Sequence, residues 1–186
     1  MRPLRLCVRI DGAMSHAKTP LLVLFLVLFT ACSKSATNTA TAPSANQGSA
    51  IASTDVVEAR PEEVTLARGQ DGDAVVSIKI ANGYHINANP PTYPYLKATQ
   101  LELQPAAGVA VEFITYPDPL TRKFPFAEKP LQVYEGQTSV KAKLKADTSA
   151  QPGKHNLSAK LRVQACDDKV CYAPGALELT IPVNIK

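Results

Sequence analysis

Ser139-Val140-Lys141-Ala142-Lys143-Leu144-Lys145 alternates apolar and polar residues without a break. A strand turns successive side chains to opposite faces, so this run reads as a strand with one face in a core and one in water. Working outward, the same period recurs in Glu63–Ala67, Ala74–Ile80, Gln100–Gln104, Val109–Ile114, Asn156–Gln164 and Leu177–Ile185. Turn residues separate the runs: Gln70-Asp71-Gly72, Asn82-Gly83, Pro105 and Gln151-Pro152-Gly153. No segment sustains a helical period. Around seven or eight short strands predict an all-β, antiparallel immunoglobulin-like β-sandwich over residues 55–186, with a closed barrel as the alternative. Pro182 lies inside the last run and predicts an edge strand or a bulge there.

The 186 residues are 45% hydrophobic and 19% charged, which suits one globular domain with appendages. The formal charge of +4 belongs mainly to the N-terminus: Arg2, Arg5, Arg9 and Lys18 against Asp11 supply three of those four charges. A domain so close to neutral gives no reason to propose a nucleic-acid partner.

Basic residues precede the apolar run Leu21–Phe29, and small residues follow it. Nine apolar residues are too few to cross a bilayer, which takes about 20. Residues 1–31 therefore read as a secretory signal peptide, with Met14 a plausible start. Leu28-Phe29-Thr30-Ala31-Cys32 resembles a bacterial lipobox, with Phe29 where the pattern usually has Leu. On this reading Cys32 is acylated and anchors the mature protein in a membrane. Ser33 favours the outer membrane, since an Asp there would resemble an inner-membrane retention signal. Residues 32–54 then form a lipidated Cys and a flexible tether. Their Ser, Thr, Ala and Asn cannot bury enough apolar surface to offset the entropy of ordering.

Tyr116–Pro130 carries four prolines in fifteen residues, which predicts a loop without regular structure. Phe124 and Phe126 lie in it. Either they cover a functional site or they cap an open end of the core.

Cys166-Asp167-Asp168-Lys169-Val170-Cys171 holds the two cysteines left for side-chain chemistry in the mature domain. In an oxidising compartment they are free to pair. As a staple the pair is weak: closing about six residues stabilises by ~2 kcal/mol, against ~4.7 for a 100-residue loop. A short-range pair is better suited to switching, yet spacing alone leaves staple and redox pair open. A soft metal site with His85 or His155 lacks a full ligand set, and both methionines lie in the signal. No metal and no cofactor is expected.

Val163-Gln-Ala-Cys-Asp-Asp-Lys-Val-Cys-Tyr-Ala-Pro174 resembles the active-site loop of the N-terminal periplasmic domain of the thiol:disulfide interchange protein DsbD. Asn82–Pro90, Leu101–Leu103 and Val133–Gly136 follow that family's order, so the resemblance covers most of residues 60–186. It implies an immunoglobulin-like sandwich whose cysteine pair exchanges electrons with periplasmic thiol–disulfide proteins, a protein-disulfide reductase-type activity. It also implies a Phe cap, filled here by Phe124 or Phe126, and a site bordered by His85, Asn87 and Tyr172. Tyrosines stand at the His85 and Asn87 positions in the best-known form. Some members have five residues between the cysteines, where this chain has four. His85 near the pair could stabilise a thiolate or relay a proton; otherwise it is a surface strand-end residue.

The chain ends at Lys186 without the family's membrane domain or thioredoxin-like domain, so a separate membrane electron donor is expected. Asp167 and Asp168 adjoin Cys166 and oppose its thiolate, whereas Lys169 favours one near Cys171. The resemblance also makes the second cysteine the one that bonds the partner. Cys171 is therefore expected to attack and Cys166 to resolve. The alternative is a non-catalytic immunoglobulin-like binding lipoprotein with a structural Cys166–Cys171 disulfide.

Overall fold

A computed structural model of the protein describes residues 51–186. The expected signal peptide, the lipidation at Cys32 and most of the tether lie outside the described residues. The strands are β1 (Val57–Pro61), β2 (Val64–Leu66), β3 (Asp71–Ile80), β4 (His85–Asn87), β5 (Gln100–Leu103), β6 (Val109–Thr115), β7 (Leu120–Arg122), β8 (Leu131–Tyr134), β9 (Gln137–Ala146), β10 (Gly153–Val163), β11 (Ala165–Cys166) and β12 (Gly175–Ile185). One 3-10 turn, Ser53–Val56, precedes them.

Two four-stranded sheets, β1-β3-β9-β6 and β2-β12-β10-β5, make the sandwich. The alternation of apolar and polar residues in β9 sets their faces. Val140, Ala142 and Leu144 of β9 are buried beside Val76 and Ile78 of β3, while Lys141 and Lys145 are exposed. Leu157, Leu161, Ile181 and Val183 supply the second sheet's share of the same core. Truncating such a Leu to Ala typically costs about 2–5 kcal/mol, so the scaffold under the site is firmly held. All pairings are antiparallel except β12 with β2.

Several local expectations change. The β12 strand is not an edge along its C-terminal part, because β2 pairs with Val183–Ile185, and its register with β10 runs through Pro182 without a bulge. Pro182 sits one residue before the β2 pairing begins, so its missing N–H is not needed there. The clean alternation of Val109–Ile114 is broken by a bulge between Val111 and Phe113. The extra residue flips the phase, leaving Phe113 57% exposed while Ile114 packs on the core. The ordered domain also begins before residue 55. Ser53, assigned by composition to the tether, is fully buried, because its hydroxyl has partners that the sequence pattern does not reveal.

A third sheet, β11-β4-β8-β7, positions the site. Three of its strands adjoin strands of the sandwich. β3 turns through Asn82-Gly83 into β4, β8 runs through Glu135-Gly136 into β9, and β10 runs through Gln164 into β11. Gly83 and Gly136 have φ of +84° and +63°, conformations that a side chain disfavours. The β7 strand corrects the expectation of a structureless Tyr116–Pro130 segment. Pro117 and Pro119 precede it and Pro125 follows, so Leu120-Thr121-Arg122 keeps its N–H groups and pairs with β8 as an exposed edge.

Candidate functional site

Cys166 ends β11 and pairs across the sheet with His85 of β4. After it the chain reverses over four residues, and Cys171 returns opposite Cys166 in an isolated bridge. The two sulfurs form a disulfide, with Cα atoms 3.9 Å apart. Cys166 is fully buried, whereas Cys171 is partly exposed.

Asp167 builds the reversal. Its Oδ1 accepts the N–H groups of Lys169 at 2.7 Å and Val170 at 2.8 Å, an Asx-type turn. Its Oδ2 accepts the Tyr172 hydroxyl at 2.6 Å. These donors hold the Asp167 carboxyl down at about 2, the Tyr172 bond first among them. The same bond pushes the Tyr172 phenol up to about 12. Main-chain bonds close the base: Asp167 N–H to Val170 C=O at 3.0 Å, and Tyr172 N–H to Ala165 C=O at 2.9 Å. Asp167 is thus the loop's clamp. Its carboxylate turns toward Tyr172, next to Cys171, so distance along the chain from the acidic pair does not separate the two cysteines. Their unequal exposure does.

The other expected residues divide into two groups. His85 is 2% exposed, which rules out a surface strand-end residue. Burial lowers its pKa, partly offset by the Glu135 and Asp167 carboxylates. Phe124 stacks on the imidazole with ring centroids 4.1 Å apart, and Phe126 stacks on Phe124 at 5.4 Å. Phe124 is therefore the inner ring and Phe126, 42% exposed, the outer one. Tyr172 lies 6.1 Å from Tyr84. An open cleft of about 540 Å³ is lined by Tyr84, His85, Leu120, Phe124, Glu135 and Asp168, with the Asn82-Gly83 turn at its rim. A larger groove of about 650 Å³ beside Gly108 and Asp147 has no cysteine, histidine or aromatic ring in its lining.

Asn87 does not reach the disulfide directly. Its amide donates to Gln164 Oε1 at 3.0 Å and to the Lys97 carbonyl at 3.2 Å. Gln164 in turn donates to the Tyr172 carbonyl at 3.2 Å. Asn87 thus braces the loop through Gln164.

Sequence reasoning missed Gln164, Glu135, Tyr84 and Ser53. The Ser53 hydroxyl accepts the Ala165 N–H at 3.0 Å and donates to the Ala173 carbonyl at 2.6 Å, tying together the residues that flank the cysteine loop. No local signal separates Ser53 from the other serines upstream. Gln164 could have been suspected from its place next to the cysteine strand.

Residues 54–181 match the family model described as thiol:disulfide interchange protein DsbD, N-terminal. No curated protein matches the chain significantly. Among solved structures, the N-terminal periplasmic domain of ScsB from Proteus mirabilis is similar at 18% identity and a TM-score of 0.48, covering 67% of this chain and 44% of that one. The chain thus spans less than half of that protein's length. A family 123 glycoside hydrolase from Clostridium perfringens is similar at 10% identity and 0.36, over 70% and 27%. PapD-like domain 7 of human CEP192 is similar at 11% identity and 0.32, over 70% and 85%.

Proposed function

Because the chain belongs to the family of the DsbD N-terminal domain, we propose that it is a periplasmic thiol–disulfide interchange module working through Cys166 and Cys171. Cys171 exchanges with a partner's sulfur and Cys166 resolves the mixed disulfide. The carrying observation is the asymmetry of the pair: one cysteine is buried in a strand and the other is partly exposed at the loop's return. A partner thiol reaches the more exposed cysteine first, and the buried one is sheltered until the mixed disulfide has formed.

The loop's construction favours exchange over a staple. Asp167, Tyr172 and Ala165 hold the reversal with hydrogen bonds that do not involve sulfur. Opening a disulfide across so short a loop forgoes only ~2 kcal/mol of chain-entropy stabilisation. The bond can break and re-form on a preorganised frame.

Phe124 serves as the cap, lying on the histidine that pairs with Cys166, with Phe126 outside it. The partners are periplasmic thiol–disulfide proteins, with a membrane electron donor on the reducing side. Acylated Cys32 holds the module at the periplasmic face of a membrane. No described helix is long and apolar enough to cross one.

Trapping tests the assignment. Cys166→Ser should accumulate a mixed disulfide with its partner, because nothing remains to release it. Cys171→Ser should trap little. The opposite pattern reverses the roles. Trapping by neither variant, with a reduction potential below about −300 mV, assigns the bond to structure.

A further inference from the structure

The His85 imidazole holds a polar atom that the exchange reading leaves unused. Its Nε2 is buried and has no hydrogen-bond partner among the described residues. Leaving a buried polar atom unpaired is costly, so its partner is to be sought in another state of the protein.

The sheet register points to that partner. His85 stands directly across from Cys166, and Cys166 across from Cys171. Opposed residues of an antiparallel pair share a face, with Cβ atoms about 4.5–5.5 Å apart. One step beyond the Ile86–Tyr134 pairing, the residue opposite His85 is Glu135. Arg122 Nε holds the Glu135 carboxylate oxygens at 3.1 and 3.2 Å. Disulfide, imidazole and carboxylate therefore follow one another across the sheet, and Arg122, opposite Leu131 in register, reaches the carboxylate with its side chain. The Phe124 ring covers the imidazole at 4.1 Å.

We propose that His85 is the proton acceptor for the Cys166 thiol during exchange, with Glu135 supporting its basicity from the opposite side. The inference rests on Cys166 being the resolving residue. A thiol as buried as Cys166 resists ionisation in apolar surroundings, so a base beside it answers a real barrier. The carboxylates of Glu135 and Asp167 favour the imidazolium. Asp168 and Tyr84 line the same cleft, and Arg122 offsets part of the Glu135 charge. Burial keeps the resting imidazole neutral near pH 7, hence able to accept.

With Cys171 in a mixed disulfide, the Cys166 thiol gives its proton to His85 Nε2, and its thiolate attacks the Cys171 sulfur. The Cys166–Cys171 bond forms, the bond from Cys171 to the partner breaks, and the partner's sulfur leaves as a thiolate with the electron pair. The imidazolium proton passes to that thiolate or to solvent. The cysteine pair gives up two electrons and the partner's disulfide gains them. In reverse, an incoming thiolate attacks Cys171, Cys166 departs as a thiolate, and protonated His85 returns the proton.

One equivalent of 5,5′-dithiobis(2-nitrobenzoate) added to the reduced protein reads this step without a physiological partner. The first thionitrobenzoate release reports the attacking cysteine and the second reports resolution. In the unmodified protein the second phase should follow a pH inflection below 6.5. In His85→Gln it should slow about 10²-fold relative to the first, the low end for general-base catalysis, and lose that inflection. Glu135→Gln should move the inflection to lower pH. An unchanged second phase in a folded His85→Gln protein overturns the relay. Should that variant not fold, an unmoved inflection in Glu135→Gln overturns it instead. A fast first phase kept by Cys171→Ser rather than Cys166→Ser means that the attacking sulfur was misassigned. With the first phase assigned as proposed, a failure in the second touches the relay alone.

Discussion

Ser53→Ala tests whether the cysteine loop depends on a residue more than a hundred positions away. The hydroxyl accepts from Ala165 N–H at 3.0 Å and donates to Ala173 C=O at 2.6 Å. Ala165 is fully buried, so its N–H is orphaned by the change. Ala173 is exposed, so water can replace the donor lost there. One orphaned buried amide costs about 1–3 kcal/mol, and the rehydrated carbonyl adds about 0.5–1.5 for its lost bond. The expected loss is therefore about 1.5–4.5 kcal/mol, on the order of 10 °C in Tm for a domain of this size. Urea denaturation of the oxidised protein measures the loss, and hydrogen exchange at Ala165 localises it. A loss under about 0.5 kcal/mol, with Ala165 protection unchanged, refutes the tie and returns Ser53 to the tether.

Three other perturbations bear on the site. Tyr172→Phe removes the shortest bond to Asp167, so the Asp167 titration should rise from about 2 toward its ordinary 3.8; a titration that stays near 2 dismisses the clamp. In the unmodified protein the Asp167 contribution to stability is complete above 3.8 and fades as the pH falls toward about 2, whereas the Tyr172 contribution is complete below 10 and fades as the pH rises toward about 12. Much of both shifts comes from the same hydrogen bond, so they are not summed. Phe124→Ala should speed alkylation of the reduced cysteines by a bulky reagent more than Phe126→Ala does, with a stability loss below the ~3–5 kcal/mol of a core Phe truncation; equal rates refute the inner and outer order of the rings. Cys32→Ala should move the protein from the membrane fraction to the soluble periplasm, and unchanged partitioning with an unlipidated mature N-terminus removes the anchor from the proposal.

The sandwich was legible because its long strands alternate over enough residues to show a period: β3, β9, β10 and β12 were all found that way. The site sheet was not, because β4, β7 and β11 are two or three residues long and no period can be read in so few. Its strands exist because longer strands deliver them, which is a tertiary fact. The β6 bulge was missed although Phe113 and Ile114, adjacent and both apolar, break the period where it falls. At the site, the cysteines and their Phe-bearing loop were readable, and family resemblance supplied the link between them. The order of the rings was not, since Phe124 and Phe126 share one segment and differ only in what lies beneath. Asp167 was read as a charge acting on a thiolate. Its structural role depends on a hydroxyl five residues on and two amides in between.

The position of Cys166 explains why so short a disulfide can serve exchange. Cys166 belongs to a strand whose neighbour, β4, is braced by Asn87, and Asn87 meets Gln164 just before the cysteine. Cys171 belongs to no named strand. It is carried by the Asp167 turn, and Tyr172 N–H fastens the return to Ala165. Breaking the bond therefore separates a sulfur fixed in a sheet from a sulfur fixed in a clamped turn, and neither support includes the bond itself. A disulfide that closed a long loop would release much more chain on reduction and would have to recover it before re-forming. Here the bond closes only about six residues, and the buried Cys166 stands directly across the sheet from His85.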